Sequence, residues 1–165
     1  LPTHASALAL RTSLGVCCLI KIFLKARIMN QFDLSVQIGK LKLSNPVILA
    51  SGTCGYGVEV AEFVDLSNIG AVIPKSVTVE PRLGNMPHRL WETPSGLLNS
   101  IGLQNEGLHE FIAEKLPKIA KLNCPIIVNI AGFTLDDFVI MAEALNPLDA
   151  VAAFEVNISD RKSVG

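Results

Sequence analysis

The sequence is poor in aromatic side chains and in net charge. Aromatic residues make up 5% of its 165 residues, so aliphatic side chains must fill most of its core. Lys and Arg number 14 against 15 Asp and Glu, a formal net charge of −1. This balance argues against nucleic-acid binding, because no basic excess is present to neutralise phosphates. A hydrophobic content of 50% also excludes an extended disordered chain, and the length suits about one domain.

Motifs for metal, dinucleotide and membrane binding are missing as well. The cysteines form no C-x-x-C pair and no cluster of metal-binding type; they are Cys17, Cys18, Cys54 and Cys124. They indicate reduced thiols in a cytoplasmic protein without a metal site. The absence of G-x-G-x-x-G and of a P-loop argues against a Rossmann-type dinucleotide site. The apolar stretch 14–24 is interrupted by Lys21 and is shorter than the roughly 20 residues that span a bilayer, so we expect no membrane association.

The first 28 residues differ in character from the rest of the chain. Lys25 and Arg27 stand where a signal peptide would have small residues at its cleavage site. We therefore expect Met29 to be the natural start, with residues 1–28 a non-native or upstream-translated extension. The alternative is a targeting or membrane helix.

After Met29, short apolar runs alternate with stretches of helical periodicity. This alternation predicts an α/β fold with a parallel sheet, preceded by a short β-hairpin. A doubly wound sheet and a (β/α)₈ barrel both fit the pattern. Thr134 is the expected N-cap of the last helix. The predicted strands are 32–38, 41–43, 46–50, 71–74, 125–129 and 149–156, the predicted helices are 58–66, 108–122 and 134–145, and a long polar loop is predicted for 76–105.

Polar residues follow the four predicted parallel strands at their carboxyl ends. They are Ser51, Lys75, Asn129 and Asn157. In a barrel, the ends of successive strands lie on one rim, and that rim carries the active site. The alternative for each residue alone is a turn former or a solvated loop side chain.

The segment 93–105 combines amides, hydroxyls and glycines. Glycines allow a backbone to approach a ligand closely, and amides bind a planar polar ring through paired contacts. The alternative is a surface loop rich in Asn and Gly. Because Leu97, Leu98 and Ile101 are apolar, we expect this loop to pack over another part of the molecule.

Five motifs in this order and spacing resemble the class 1 dihydroorotate dehydrogenases, flavin enzymes of de novo pyrimidine (UMP) biosynthesis. They are NPVILASG at 45–52, GAVIPKSVT at 70–78, EPRLGN at 80–85, ETP at 92–94 and NSIGLQN at 99–105. The residues of the last two motifs are similar to those of the NAD-linked class 1B branch. The resemblance covers about residues 30–159. It implies the N-terminal half of a (β/α)₈ TIM barrel, with about four βα repeats.

The resemblance also implies a cofactor, a reaction and site residues. Dihydroorotate is oxidised to orotate as a base removes a proton and a hydride passes to FMN. The positions that match FMN-binding residues are Ser51, Lys75, Ser76, Asn129 and Asn157. Those that match dihydroorotate- or orotate-binding residues are Lys75, Asn99, Ser100, Ile101, Gly102, Leu103 and Asn157. The intact family member is expected to form a homodimer and to pair with an electron-transfer subunit that carries FAD and an iron–sulfur cluster.

The sequence departs from the family pattern after Ser159. Class 1 enzymes continue with Cys-Pro-Asn, and that Cys is their catalytic base, whereas Asp160 occupies the position here. We expect residues 160–165 to be an unrelated tail and the partial barrel, residues 29–159, to be an inactive fragment. The alternatives are a dihydropyrimidine dehydrogenase-like FMN barrel and a non-enzymatic half-barrel.

Overall fold

The computed structural model describes residues 32–158. The chain divides into two units between Leu34 and Ser35, and the second is the one described below. The expected extension at 1–28 and the expected tail at 160–165 lie outside the described residues. Within residues 32–158, no helix is long and apolar enough to cross a membrane.

The described elements alternate between strands and helical segments, with two hairpins inserted. The strands are β1 (Val36–Ile38), β2 (Leu41–Leu43), β3 (Ile48–Leu49), β4 (Ala71–Val72), β5 (Leu90–Thr93), β6 (Gly96–Asn99), β7 (Ile126–Ala131) and β8 (Val151–Asn157). The α-helices are α1 (Gly107–Glu110), α2 (Leu116–Ile119) and α3 (Leu135–Leu145). A π-helical segment covers Phe111–Lys115, and 3₁₀ turns cover Leu66–Asn68 and Ala120–Leu122.

A four-stranded parallel sheet organises the fold. Its strand order, β3-β4-β7-β8, follows the chain without a reversal, so neighbours in sequence are neighbours in space. A doubly wound sheet would reverse its order at a switch point, whereas a (β/α)₈ barrel does not. The structure thus confirms the predicted α/β fold with half of a barrel. The antiparallel hairpin β1–β2 before the sheet is confirmed as well.

The sheet is covered on both faces, as its apolar runs predict. Val72 and Val128 pack in a large cluster with the helical side chains Phe111 and Met141. A smaller cluster covers the opposite face of the sheet and consists of Leu43, Ala71, Ile73 and Ile127. A continuous apolar run such as 46–50 predicts a strand buried on both faces. This prediction is wrong for β3, which lies at the edge of the sheet and has two half-buried residues.

The helical stretch 107–122 is continuous but changes its hydrogen-bonding pattern. Pro117 lies at the start of α2, immediately after the π-helical segment. Because proline lacks an N–H and its ring clashes with the carbonyl four residues earlier, the α-helical ladder is interrupted upstream of it. Phe111 and Ile119 remain buried and attach the stretch to the sheet.

The helix predicted at 58–66 is wrong. Residues 57–64 form successive turns, and only the 3₁₀ turn Leu66–Asn68 follows. The β-branched Val58, Val60 and Val64 lower the helix propensity of this stretch. Asp65 then accepts the Ser67 backbone N–H at 3.0 Å and fixes the 3₁₀ turn.

The predicted long polar loop contains the antiparallel hairpin β5–β6. Its two strands pair with each other only, and the Thr93 hydroxyl donates to the Gly96 carbonyl across the turn. Leu97 and Leu98 are 69% and 64% exposed, so the expectation that they pack over another part of the molecule is wrong. Pro94 and Ser95, within the segment predicted as a loop, form the turn of this hairpin.

Helix α3 begins with a capping box at the predicted N-cap. The Thr134 hydroxyl accepts the Asp137 N–H at 3.2 Å, and the Asp137 carboxylate accepts the Thr134 N–H at 3.1 Å. The same carboxylate accepts the Phe133 N–H at 2.7 Å. These backbone hydrogen bonds lower the pKa of Asp137. The cap fixes the helix start so that Met141 and Leu145 are buried against the sheet.

We predict that Thr134→Ala lowers the free energy of unfolding by about 1 kcal/mol, because an orphan N–H at the helix start loses its acceptor. Thr134→Ser retains the hydroxyl and is the matched control. Urea unfolding followed by circular dichroism measures both. Equal stability of the two variants would contradict the role of the cap.

We predict a larger loss for Gly70→Ala. The Gly70 N–H donates to the Val47 carbonyl at 2.9 Å, and an added Cβ would overlap the Asn45 carbonyl oxygen. Because the obstacle is backbone, we expect a loss of about 3 kcal/mol. Gly52→Ala is the control: its Cβ has open space, and its positive φ costs only about 1–2 kcal/mol. A Gly70→Ala variant as stable as Gly52→Ala in the same urea titration would refute the close approach.

Candidate functional site

The segment after strand β4 runs alongside β7. The Val77 N–H donates to the Asn129 carbonyl at 2.8 Å, and the Ala131 N–H donates to the Val77 carbonyl at 2.9 Å. This pairing places Lys75 and Ser76 at the carboxyl edge of the sheet, next to β7. Both residues are half-buried there.

The sequence predicts Asn129 at the end of its strand. In the structure it lies inside β7, because the strand continues to Ala131. It is 2% exposed and pairs in register with Glu155 of β8. Its Nδ2 donates to the Glu155 carboxylate, while its Oδ1 has no hydrogen-bond partner among the described residues. A buried acceptor without a partner is costly and suits a ligand that brings a donor.

Lys75 faces a cluster formed by Tyr56, Glu106 and Lys115, here called the Tyr56 cluster. The Lys75 Nζ lies 6.0 Å from the centroid of the Tyr56 ring, and the Lys115 Nζ lies 5.3 Å from it. The Tyr56 hydroxyl donates to the Glu106 carboxylate. Lys115 Nζ lies 3.7 Å from the other carboxylate oxygen of Glu106. The strand end and the helical stretch therefore meet at one aromatic ring.

Electrostatics fix the protonation of this cluster at neutral pH. Burial raises the pKa of Tyr56, and so do its hydrogen bond to Glu106 and the negative charges of Glu106 and Glu59. Burial alone would raise the pKa of Glu106, but the Tyr56 hydrogen bond, a backbone hydrogen bond and the charges of Lys115 and Lys75 lower it overall. The phenol is thus neutral and the carboxylate charged.

The loop after β6 is held by Asn85. The Asn85 N–H donates to the Ile101 carbonyl at 2.9 Å, and its Nδ2 donates to the Ser100 Oγ at 2.7 Å. Gly102 approaches Asn85 so closely that a Cβ would lie 2.8 Å from it, and φ at Gly102 is +77°. Leu103 adopts a left-handed φ of 54°. Asn99 and Ser100 remain exposed, whereas Ile101, Gly102 and Leu103 are half-buried.

Asn105 anchors the other end of this loop. It is buried, and its Nδ2 donates to the Leu103 carbonyl at 2.8 Å and to the Thr78 hydroxyl at 2.9 Å. Its Oδ1 accepts the Gly107 N–H at 2.8 Å. The backbones of Asn105 and Arg82 also pair as an isolated bridge. The loop is therefore tied to the segment that carries Lys75.

The remaining predicted residues lie along the same edge of the sheet or outside the described residues. Ser51 is half-buried in the turn after β3, and Asn157 ends β8 opposite Ala131. Asp160 lies outside the described residues. Burial raises the pKa of the neighbouring Cys54 thiol, so this cysteine is not set up as a nucleophile.

The sequence did not point to Tyr56, Glu106 or Glu155, and it included Asn105 only as the last residue of the motif at 99–105. Tyr56 and Glu106 are 50 positions apart, so no local pattern joins them. Glu155 carried a weak signal, because a carboxylate within an apolar strand run needs a partner. Among the described residues, no group of three or more His, Cys, Asp or Glu side chains is placed to hold a metal ion.

Comparisons with known proteins agree with the resemblance seen in the motifs. Residues 33–162 match the family model described as dihydroorotate dehydrogenase. The catalytic subunit of dihydroorotate dehydrogenase B (NAD(+)) from Geotalea uraniireducens is 51% identical over 131 residues, 79% of this chain and 43% of the relative. The same subunit of Thermoanaerobacter pseudethanolicus is 48% identical over 127 residues, 77% of this chain and 42% of the relative.

A solved structure shows the same fold. It is the crystal structure of DHODH from Eimeria tenella in complex with ferulenol, with a TM-score of 0.61 and 22% sequence identity. The match covers 91% of this chain and 45% of that one. The chain thus spans less than half the length of the relatives it matches. With 130 of its residues aligned to the family model, the chain belongs to the dihydroorotate dehydrogenase family.

Proposed function

We propose that this chain forms the N-terminal part of the FMN site in an NAD-linked dihydroorotate dehydrogenase, an oxidoreductase that converts dihydroorotate to orotate in pyrimidine biosynthesis. The observation that carries the proposal is the buried Oδ1 of Asn129, which has no partner among the described residues and lies inside β7, beside the segment that bears Lys75. The relatives named dihydroorotate dehydrogenase B support the choice of reaction. The activity is proposed for the whole protein.

The residues at the sheet edge fit a flavin. Members of this family generally use FMN, which when bound supplies the acceptor for a hydride. The imide N–H of its ring is a donor of the kind that Asn129 Oδ1 lacks. Lys75 offers a positive charge where negative charge develops on reduction. We assign Ser51, Ser76 and Asn157 to hold the flavin through hydroxyl and amide groups.

The loop 99–103 is the proposed substrate clamp, together with Lys75 and Asn157. Dihydroorotate carries a carboxylate and a ring with amide-like groups. An ammonium group and side-chain amides are the matching partners for these groups. The hydrogen bonds from Asn85 and Asn105 hold the loop in a defined shape, which reduces the cost of ordering it around a substrate. The clamp residues are Asn99, Ser100, Ile101, Gly102 and Leu103.

No described side chain is assigned as the base that removes the substrate proton. The Cys54 thiol is buried, and burial raises its pKa, so it does not supply a thiolate. The family's base position is occupied by Asp160. The proposal for the described residues is therefore limited to binding, orientation and electrostatic stabilisation.

A partner subunit is implied by the name "catalytic subunit" that the relatives carry. We propose that this partner carries FAD and an iron–sulfur cluster and passes electrons to NAD, and that the catalytic subunit forms a homodimer. We further propose a cytoplasmic location, since Cys54 and Cys124 are buried free thiols.

Replacement of Lys75 tests the electrostatic role. We would replace the matching segment of the Geotalea uraniireducens catalytic subunit with residues 35–158 of this chain and purify the hybrid protein. Lys75→Ala is expected to slow flavin bleaching by dihydroorotate about 100-fold or more, because a preorganised charge is lost. Anaerobic stopped-flow absorbance measures the rate. Lys118→Ala, at an exposed helix position, is the matched control, and an unchanged rate in Lys75→Ala would remove this residue from the reaction.

Replacement of Asn129 tests the flavin contact. In the same hybrid, Asn129→Ala is expected to weaken FMN binding about 10- to 100-fold, since one buried hydrogen bond is lost. Glu155→Gln is the control, because it retains the acceptor for Asn129 Nδ2 and leaves Oδ1 in place. Quenching of FMN fluorescence measures both affinities. Equal affinities in the two variants would contradict a flavin contact at Oδ1.

A further inference from the structure

Asn129 and Glu155 form a polar pair inside two strands that are otherwise apolar at these positions. They lie opposite each other in the parallel register of β7 and β8, and the Asn129 Nδ2 donates to the Glu155 carboxylate. Asn129 is 2% exposed and Glu155 is half-buried, and among the described residues Glu155 makes no ion pair. Burying polar groups costs free energy that apolar side chains would not, so the Asn129–Glu155 pair indicates a role other than stability.

The Asn129–Glu155 pair lies on the face of the sheet opposite the helices. Side chains alternate between the two faces along a strand. Val128 and Phe154, the residues just before the pair, pack in or against the large cluster that contains the helical side chains. Ile127 and Ala153, one position earlier, pack in or against the smaller cluster on the opposite face. The pair therefore continues that opposite face toward the carboxyl ends of β7 and β8.

The carboxylate dictates which end of the amide faces it. A side-chain amide has a donor group and an acceptor, whereas a carboxylate only accepts. The NH₂ group of Asn129 is therefore the end that contacts Glu155, and the Oδ1 is left for another partner. The backbone of Asn129 is held as well, because its carbonyl accepts the Val77 N–H at 2.8 Å. Among the described residues, no donor reaches the buried Oδ1.

We propose that Glu155 is a positioning residue for Asn129: its carboxylate locks the amide so that only the Oδ1 is offered, which makes the site selective for a ring that brings an N–H donor. The imide N–H of a flavin meets this requirement. A flavin methylated at that nitrogen does not, since it would leave the Oδ1 buried and unpaired. The identity of the ligand rests on the proposed function, whereas the locking of the amide does not.

Hydrogen exchange of side-chain amides tests the locking on the full 165-residue chain, without a flavin. NMR spectra of protein with isotope-labelled asparagine give the exchange rate of the Asn129 amide, whose signal is identified by its loss in Asn129→Ala. In Glu155→Met, which lacks an acceptor, we expect this exchange to be about tenfold faster, because a hydrogen bond to a charged group is lost. Glu155→Gln restores an acceptor and should restore slow exchange. The buried Asn105 amide is the internal reference, since a general loss of structure would accelerate both amides.

Flavin selectivity tests the consequence in the hybrid protein that carries residues 35–158. The measured quantity is the Kd for FMN methylated at its imide nitrogen divided by the Kd for FMN, both from fluorescence quenching. We expect Glu155→Met to lower this ratio about fivefold or more, because a released amide can turn and no longer leaves a fixed Oδ1 unpaired beside the methyl group. Glu155→Gln is expected to restore most of the ratio. A merely structural defect would weaken both flavins equally and leave the ratio unchanged.

The two measurements separate the positioning from the proposed function. Exchange of the Asn129 amide that is unchanged in Glu155→Met, or accelerated together with that of Asn105, overturns the proposal. So does a flavin ratio that stays unchanged in Glu155→Met but falls in Asn129→Ala. Equal affinity of the unsubstituted hybrid for the two flavins would instead contradict the proposed flavin contact, and the exchange rates would then still decide whether Glu155 locks the amide.

Discussion

Two backbone hydrogen bonds between Val77 and strand β7 are the constraint on which the site depends. They continue the parallel pairing of β4 beyond Pro74, a residue with no N–H to contribute. Because Val77 is 1% exposed and paired on the β7 side, the residues before it are forced to follow the edge of the sheet. Lys75 and Ser76 consequently lie beside Asn129. Thr78, the next residue, is placed to hold Asn105.

The buried side-chain amide of Asn105 holds the loop 99–105 in place. The side-chain amide of Asn105 donates and accepts hydrogen bonds with neighbouring backbone groups and with Thr78. The donor–acceptor distances lie between 2.8 and 3.3 Å. A buried amide satisfied in this way specifies one geometry, since any other would leave a polar atom unpaired. The base of the loop 99–105 is therefore hydrogen-bonded to the segment that carries Lys75.

The sequence predicts those parts of the fold that local physics decides. Continuous apolar runs identified β4 and β7, and Thr134 identified the start of α3, because burial and capping are readable from neighbouring residues. The helix predicted at 58–66 is absent because the β-branched valines of this stretch disfavour a helix despite its helical periodicity. The site was predicted as four strand ends; Asn157 does end β8, whereas Asn129 lies inside β7, because that strand continues to Ala131. The unpaired Oδ1 of Asn129 and the Tyr56–Glu106 contact arise from tertiary packing, and no local pattern encodes them.

The charges and hydrogen bonds at the sheet edge define what kind of ligand the site suits. Lys115 is compensated by Glu106, and the amide donor of Asn129 is taken by Glu155. Among the described residues, the Lys75 ammonium makes no ion pair and the Asn129 Oδ1 has no hydrogen-bond partner. A simple phosphate matches the first but not the second, since it brings no N–H donor to a buried acceptor. A flat heterocycle that carries an imide N–H and gains negative charge on reduction matches both, and for this reason we propose a flavin and not an anion alone as the ligand.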